Sequence, residues 1–276
     1  MPTDFRLYKQ YDAKFDGSEK CPSGCYSGGT CPFILNEEIM PCCDEYPYLE
    51  CVYDVTTTTS PTTLYHDKPI ANLFLMKIDD DLAITGRTGY TFSTTGEHRV
   101  RFYQKTPITG VSQYAFYGCN RLVSCNVPDT VNAIGNPSNN IGYSFNDCTI
   151  LSEVKLPKGI KTIYPYSFHN CFKLEKIIIQ NNIETIKDSG FGVCSGCTEL
   201  YLADSVKTIG AWAFNQMTSL KKITIDAVTP PSVGASCFYL TDNVEHVYVP
   251  PQSVNAYKNA AGWNKYASII QANPYY

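Results

Sequence analysis

Six phenylalanines recur along the second half of this 276-residue chain at a nearly constant interval. Successive members are separated by 29, 23, 23, 23 and 24 residues. They are Phe116, Phe145, Phe168, Phe191, Phe214 and Phe238. A period of about 20–50 residues is the signature of a stacked repeat, in which each unit buries its apolar side chains against its neighbours. The period therefore predicts a solenoid over this part of the chain.

Phe116, Phe145, Phe168 and Phe191 are each followed by apolar residues 6, 9, 11, 15 and 18 positions further along, and Phe214 keeps the pattern as far as Ile225. After Phe168 these residues are Leu174, Ile177, Ile179, Ile183 and Ile186. The pieces EVKLP (153–157) and KIIIQ (176–180) alternate apolar and variable residues, as a strand with one buried face does. A repeat of about 20–29 residues with one short strand is typical of a leucine-rich-repeat solenoid. The predicted fold class is mainly β, with short helical or irregular segments on the back of each coil.

The CSGC sequence at 194–197 is explained by the same repeat. Cys194 lies three residues after its phenylalanine, and Cys197 takes the position that leucine fills in other repeats. Cysteine occupies the first of these positions elsewhere too, at Cys119, Cys148 and Cys171. We interpret all of them as core residues, because a buried cysteine acts as a small apolar side chain. The alternatives are a disulfide within the stack and a redox dithiol, which would need a helix N-terminus that this pattern does not provide.

Residues 154–174 have the form V-x-L-P-x-x-I-x-x-I-x-x-x-x-F-x-x-C-x-x-L. Units of this form resemble the BspA-type leucine-rich repeats, which are common in surface proteins of gut and oral bacteria and in their phages. The stretch 227–270 is similar to the terminal unit and helical cap of Bacteroides-type members. The matching residues are Pro230, Pro231, Tyr248, Pro250, Tyr257 and Trp263. The resemblance covers about 100–270 and implies a non-catalytic binding, adhesion or display role without a particular ligand.

The chain departs from the family pattern at 136–141, where NPSNNI is interpreted as a loop insertion, and at Cys197. The C-terminal sequence VPPQSVNAYKNA (249–260) predicts a helix, because proline is tolerated where a helix begins and Ser253 can cap it. Trp263 and Ile269/Ile270 are expected to close the open end of the stack.

The region before the repeats contains five strand-like pieces separated by turn residues. They are CVYDV (51–55), TTLYH (62–66), NLFLMKI (72–78), GYTFST (89–94) and HRVRFYQ (98–104). Such a pattern favours a small β-sandwich, and residues 89–102 are similar to the closing hairpin of bacterial immunoglobulin-like modules. The three aspartates at 79–81 are interpreted as a solvated turn, with a calcium site as the alternative.

Six cysteines crowd the N-terminal 51 residues. They are Cys21, Cys25, Cys31, Cys42, Cys43 and Cys51. An even number of cysteines in a short Gly- and Pro-rich segment favours a disulfide framework. Zinc is the alternative, since pairs of cysteines two to four residues apart are common zinc ligands. No other cofactor is expected.

Composition excludes several classes of function. The net charge of −4 provides no broad basic surface for nucleic acid. The longest apolar run, LFLM at 73–76, is far shorter than the roughly 20 residues of a membrane span, and MPTDFRLYKQ contains no apolar signal-peptide core. The four histidines are scattered and no nucleophile, P-loop, dinucleotide or zinc-protease motif occurs, so the chain is expected not to be an enzyme.

Outward positions of the predicted strands form two rows along the solenoid. The first row alternates in charge: Ser124, Glu153, Lys176, Glu199, Lys222 and His246. It is interpreted as a register-fixing ladder. The second row is the predicted ligand- or partner-binding face: Asn126, Lys155, Ile178, Tyr201, Thr224 and Tyr248. The alternatives for the second row are ordinary sheet surface and packing against a second copy in a homo-oligomer.

These observations predict four segments: a Cys-rich attachment segment (1–51), a β-sandwich (52–106), the repeats (107–249) and a helical cap (250–276). The chain is expected to be an extracellular, non-catalytic display or adhesion protein. Since no signal peptide is visible, a head-fibre, decoration or tail component of a phage virion is favoured over an adhesin of a Bacteroides-type bacterium. The expected partners are a protein or glycan on a cell surface and, through the N-terminal segment, other virion or surface proteins.

Overall fold

The computed structural model describes residues 30–35, 38–41, 48–67, 69, 73, 75–79, 81–84, 88–104, 107–180 and 182–275. The chain divides into two compact units, Met1–Pro47 and Tyr48–Tyr276. In the first unit, strands β1 (Thr30–Leu35) and β2 (Glu38–Pro41) pair antiparallel. The predicted segment boundaries at 51, 106 and 249 stay predictions.

Six strands precede the repeats in the second unit. They are β3 (Leu49–Val55), β4 (Thr62–Thr63), β5 (Leu75–Ile78), β6 (Asp81–Ile84), β7 (Gly89–Tyr90) and β8 (Gly96–Tyr103). Strands β3, β8, β5 and β6 form an antiparallel sheet in that order, and β4 pairs with β7. Strand β3 buries every second side chain, as its alternating sequence predicts.

Each coil of the repeat region contributes one longer strand and one strand of two residues. The strands are β9 (Gly110–Val111), β10 (Leu122–Asn126), β11 (Ala133–Ile134), β12 (Glu153–Lys155), β13 (Thr162–Ile163), β14 (Lys176–Ile179), β15 (Thr185–Ile186), β16 (Glu199–Leu202), β17 (Thr208–Ile209), β18 (Lys222–Ile225), β19 (Ser232–Val233), β20 (His246–Val249) and β21 (Ile270–Ala272). The longer strands β14, β16, β18, β20 and β21 form a parallel sheet, and the short strands β13, β15, β17 and β19 form a second one. The predicted mainly β solenoid is confirmed, with about seven turns and few helices.

The N-terminal strands continue directly into the repeats. Strand β3 pairs antiparallel with β10, and β10 pairs parallel with β12. The resulting six-stranded sheet has the order β12-β10-β3-β8-β5-β6. The predicted immunoglobulin-like sandwich is not confirmed, because the four longer strands between residues 49 and 103 lie in this one sheet. The alternation of apolar and polar residues correctly predicts strands with one buried face. It does not show whether a second sheet or the end of a solenoid covers that face.

The repeated phenylalanines stack on one another through the centre of the solenoid. Neighbouring rings have centroid distances of 5.0–5.9 Å and interplanar angles of 6–17°. These distances are close to the spacing of about 4.8 Å between paired strands. The reason is that each phenylalanine occupies the same position in its coil, and successive coils lie one strand spacing apart. All six side chains are buried.

The cysteines at the third position after each phenylalanine form a second internal column. Cys148 Sγ donates a hydrogen bond to the carbonyl oxygen of Phe116 at 3.0 Å. Cys171 Sγ donates to Phe145 O, at 3.2 Å, and Cys194 Sγ makes the equivalent bond in the next coil. Each thiol thus adds a hydrogen bond to a carbonyl of the preceding repeat, and the carbonyls of Phe116 and Phe145 also accept from the backbone amides of Cys119 and Cys148.

A C-terminal cap covers the last repeat. It comprises a 3₁₀ turn (Pro251–Ser253), helix α1 (Val254–Asn259), a second 3₁₀ turn (Asn264–Tyr266) and strand β21. Trp263 is buried against Phe238, with ring centroids 5.2 Å apart, and its Nε1 donates to Pro231 O at 2.9 Å. The prediction that Ser253 caps the helix is wrong, since its Oγ donates to Val228 O at 2.7 Å. Ile270 is buried and Ile269 is partly buried against the core, as expected.

Replacing Phe168 by alanine should destabilise the solenoid by about 3–5 kcal/mol, because the side chain is only 1% exposed and stacks on a ring at each face. Phe172, in the same repeat, is 40% exposed and provides a matched control whose replacement by alanine should cost less than about 1 kcal/mol. Urea unfolding of the three proteins measures both effects. Equal losses in the two variants would contradict a stabilising role for the phenylalanine stack.

Candidate binding surfaces

The strand register brings four of the six predicted face residues side by side. Ile178 lies opposite Tyr201, Tyr201 opposite Thr224, and Thr224 opposite Tyr248. We call these four residues the strand-face row. The parallel pairing of β20 with β21 extends the row by Gln271, which the repeat period did not predict because β21 belongs to the cap.

The other two predicted face residues belong to a different sheet. Asn126 lies opposite Lys155, in the six-stranded sheet that begins with the N-terminal strands. Within residues 122–179, all of which are described, no strand pairing joins β12 to β14. The continuous row of six residues is therefore interrupted between Lys155 and Ile178. Val154 of β12 is only partly buried, whereas the equivalent Ile177 is buried.

Within the strand-face row, Ile178 differs from the two tyrosines in exposure and contacts. Its side chain is 55% exposed. Tyr201 donates a hydrogen bond from its hydroxyl to the carboxylate of Asp226. Tyr248 stacks on the imidazole of His246, with centroids 5.6 Å apart at 18°. These contacts hold the Tyr201 ring, which is next to Ile178, and the Tyr248 ring, which lies two strands beyond Tyr201.

Ion pairs line the strand-face row along one side. Glu199 accepts from Lys222 at 3.1 Å and pairs with Lys176 at 3.6 Å. The hydrogen bond from Lys222, followed by the charges of both lysines, lowers the pKa of Glu199. The alternating charges of the first row thus meet as neighbours across β14, β16 and β18, which is the register-fixing arrangement expected of a parallel ladder.

The repeat also produces an aromatic surface that the sequence analysis missed. Tyr114, Tyr143 and Tyr166 stack in series, with centroid distances of 5.0 and 4.8 Å. Two repeats further along, Trp212 is 42% exposed and meets Tyr239, which is 50% exposed, edge to face at 5.5 Å. We call these five residues the aromatic ridge.

A simple sequence signal could have found the aromatic ridge. Tyr114, Tyr143, Tyr166 and Trp212 each lie two residues before a repeated phenylalanine, and Ser189 interrupts the series. The backbone is left-handed at all of these positions, with φ between 52° and 59°. Non-glycine residues seldom adopt this conformation. Hydrogen bonds between neighbouring coils hold it in place, as between Phe145 N and Ser167 O at 2.8 Å.

The CSGC cysteines are buried in the solenoid core. Cys194 donates to a carbonyl as described above, and Cys197 Sγ donates to Glu199 O at 3.3 Å. Burial raises the pKa of Cys197 to about 12 and that of Cys194 well above its ordinary value. A redox dithiol needs a low thiol pKa, so this environment disfavours thiolate chemistry at both residues.

The N-terminal cysteine cluster lies largely outside the described residues. This is the case for Cys21, Cys25, Cys42 and Cys43. Cys31 falls in strand β1. Cys51 is buried in β3, where its Sγ lies 3.4 Å from that of Cys125, and its assignment to the cluster stays a prediction. In the parts of the chain that the structure describes, no group of three or more His, Cys, Asp or Glu side chains could hold a metal ion.

One histidine contacts a carboxylate in a pair that resembles part of a catalytic site. His98 Nδ1 lies 2.8 Å from Asp79 Oδ2. Its Nε2 lies 3.0 Å from the carbonyl oxygen of Thr94. Both ring nitrogens therefore have hydrogen-bond partners within the chain. The second carboxylate oxygen of Asp79 accepts from the backbone amide of Arg99 at 2.9 Å, so this aspartate stabilises a turn.

A family model described as the BspA type leucine rich repeat region matches residues 109–245 in six copies. The chain belongs to the BspA-type leucine-rich-repeat family. The matched range contains the coils described above, including the one that carries Cys197 in place of leucine. No curated protein matches the chain. Among the described residues, no helix is long and apolar enough to cross a membrane.

Three solved structures are similar to parts of this BspA-type chain. A leucine rich repeat protein of T. pallidum is 26% identical, with 53% of this chain and 68% of that chain covered and a TM-score of 0.46. A leucine rich cell surface protein of Faecalibacterium prausnitzii is 27% identical (44% and 30% covered, TM-score 0.40). A leucine-rich repeat protein of Bacteroides ovatus is 15% identical (58% and 61% covered, TM-score 0.27). This chain thus spans less than a third of the F. prausnitzii protein.

Replacing Glu199 by glutamine should reduce stability by less than about 1 kcal/mol at pH 7, since the ion pairs are exposed. The folded-state pKa of Glu199 is lowered, so its contribution is complete above the unfolded-state value of about 4.3 and is lost as the pH falls through the folded-state value. Urea unfolding at pH 7, 5 and 3.5 should show the two proteins converging at the lowest pH.

The matched control for this experiment is Glu153→Gln. Glu153 occupies the same position in its repeat but makes no ion pair with the described residues. Its replacement should leave the pH dependence unchanged. A difference between wild type and Glu199→Gln that persists at pH 3.5 would show that packing, rather than charge, causes the loss of stability.

Proposed function

We propose that this BspA-type protein is a non-catalytic binding protein displayed outside the cell, and that it contacts its partner through the strand-face row. The observation that carries the proposal is the exposure of Ile178 on β14, the edge strand of the parallel sheet β14-β16-β18-β20-β21. A single exposed apolar side chain is ordinary on a protein surface. Here, however, the register places it directly beside Tyr201 and in line with Thr224 and Tyr248.

The arrangement around Ile178 supports a binding role. Aromatic and apolar side chains at the centre of a surface, with charged groups at the rim, are the usual composition of a protein interface. Tyr201 and Tyr248 contribute at the centre and the pairs made by Glu199 at the rim. Because the rings are held by Asp226 and His246, little side-chain freedom would be lost on binding.

The charges on this face favour a protein or glycan as the partner. Lys176 and Lys222 are both paired with Glu199, and the whole chain carries a net charge of −4. A nucleic acid would require unpaired cations along the face. Two features support a non-enzymatic role. Both ring nitrogens of His98 have hydrogen-bond partners in Asp79 and Thr94, and burial raises the pKa of the Cys197 thiol.

Two settings would present this surface to a partner. One is the surface of a bacterium, which is also where the similar F. prausnitzii protein is placed by its description. The other is the surface of a phage virion, with residues 1–47 attaching the chain to other particle proteins. Density-gradient fractionation of the native source, followed by mass spectrometry, separates them: co-migration with capsid protein supports the virion, and co-migration with cell envelopes supports the bacterial surface.

The binding surface can be tested with two variants of matched exposure. Ile178→Lys should weaken binding of the purified protein to immobilised mucin glycoprotein, extracellular-matrix protein or whole bacterial cells by at least tenfold, because it replaces the exposed apolar side chain of the row by a charge. Val228 is also β-branched and is 56% exposed, but lies outside the row. Val228→Lys should leave binding unchanged. Biolayer interferometry and flow cytometry measure the two effects.

The aromatic ridge is the competing surface in the same experiment. Trp212→Ser removes its largest ring, which is 42% exposed, without changing a residue of the strand-face row. If Trp212→Ser abolishes binding and Ile178→Lys does not, the ridge is the binding surface and the proposal for the strand face is wrong. If neither variant changes the binding that wild type shows, both surfaces are excluded.

A further inference from the structure

We propose that Cys51 and Cys125 form a disulfide that joins the N-terminal strands covalently to the first repeat. The two cysteines are directly opposite each other in the antiparallel pair formed by β3 and β10. Their sulfur atoms lie 3.4 Å apart, and both side chains are buried. The inference does not rest on the proposed binding role, since it concerns the internal junction of the second unit.

The backbone geometry suits a disulfide without rearrangement. Residues directly opposite each other in antiparallel strands have Cα atoms about 4.5 or 5.5 Å apart. Both distances fall within the range of about 4.4–6.8 Å seen for disulfides. The two side chains already point to the same side of the sheet, because their sulfurs are in contact. Small side-chain rotations suffice to bring the sulfurs to the bonded distance of about 2.05 Å.

Three of the other buried thiols have carbonyl partners of their own. Cys148, Cys171 and Cys194 each donate to a phenylalanine carbonyl of the preceding coil. Cys119 is buried near the pair and is the natural competitor, since its charge contributes to raising the pKa of Cys51. A shared metal is not indicated, because the described residues contain no group of three or more metal-ligating side chains.

The reaction is a thiol–disulfide exchange with a disulfide-containing oxidant, such as oxidised glutathione or an oxidised thiol–disulfide oxidoreductase. The two thiols lose two protons and two electrons as the S–S bond forms, and the oxidant's disulfide is reduced to two thiols. The thiolate is the attacking species, and burial disfavours it in the folded chain. The exchange therefore takes place while β3 and β10 are still accessible, and the completed bond is shielded from reductants afterwards.

The position of the link gives it a structural purpose. Strands β3 and β10 form the junction at which the antiparallel strands meet the parallel repeats. Residues 51 and 125 are 74 positions apart. A link across so long a loop restricts the unfolded chain and thereby stabilises the folded one. The thermal midpoint of the oxidised protein should exceed that of the reduced protein by roughly 5–10 °C.

The direct test maps the thiols of the full-length wild-type protein after it has folded in a buffer of reduced and oxidised glutathione. Free thiols are alkylated in denaturant, and the chain is digested with trypsin and a glutamyl endopeptidase. Cleavage after Glu50 and Arg121 separates Cys51 from the leader cysteines and Cys119 from Cys125. Mass spectrometry should find a peptide that links Cys51 to Cys125, with fragment ions that distinguish Cys125 from Cys148.

Two variants complete the test. Cys119→Ala should retain the link and its thermal stabilisation, whereas Cys51→Ala should lose both and show no effect of reductant on the thermal midpoint. Alkylation of both Cys51 and Cys125 in oxidatively folded wild type would overturn the proposal, as would a link from Cys51 to Cys119 or to a leader cysteine. Since the map is made on wild type, the result does not depend on whether a variant folds.

Discussion

The structure depends on the hydrogen bonds that each coil makes with the next. A single coil has too few internal partners for its backbone, and its turns satisfy their amides in the neighbouring coil, as Phe168 N does with Gly190 O at 2.8 Å. Buried backbone groups that lack a partner are costly, so adjacent coils must align residue by residue. This alignment places identical repeat positions one strand spacing apart, which produces the phenylalanine stack and the thiol column.

The same alignment produces the surface rows. A residue that points outward in one coil has the equivalent residue of the next coil as its neighbour, so charges must alternate and do so at Lys176, Glu199 and Lys222. In rows that contain few charges, the alternation of charge does not constrain the residue types, so these positions can hold residues that suit binding. The strand-face row and the aromatic ridge both arise in this way, from different positions of one repeat. A surface that the repeat creates is therefore a row of equivalent residues from successive coils.

The repeated features of the fold could be predicted from the sequence, because a period is visible without knowing the structure. The burial of Phe168, Cys171 and Cys197 follows from their repeat positions, and so does the side-by-side arrangement of Tyr201 and Thr224. Features that break the period were missed. The interruption between β12 and β14 has no counterpart in the spacing, which is 23 residues there as in the neighbouring repeats. The partner of Cys51 depends on an antiparallel pairing between residues 74 positions apart, for which the local sequence contains no signal.

The two ends of the stack show why such non-periodic contacts are needed. At the C-terminal end, Trp263 covers the last phenylalanine and β21 adds one more parallel strand. At the N-terminal end, β3 covers the first repeat by pairing antiparallel with β10. An antiparallel strand cannot continue the parallel stack. It therefore ends the solenoid, which is what a capping element does. The N-terminal strands are thus interpreted best as the first cap of the solenoid.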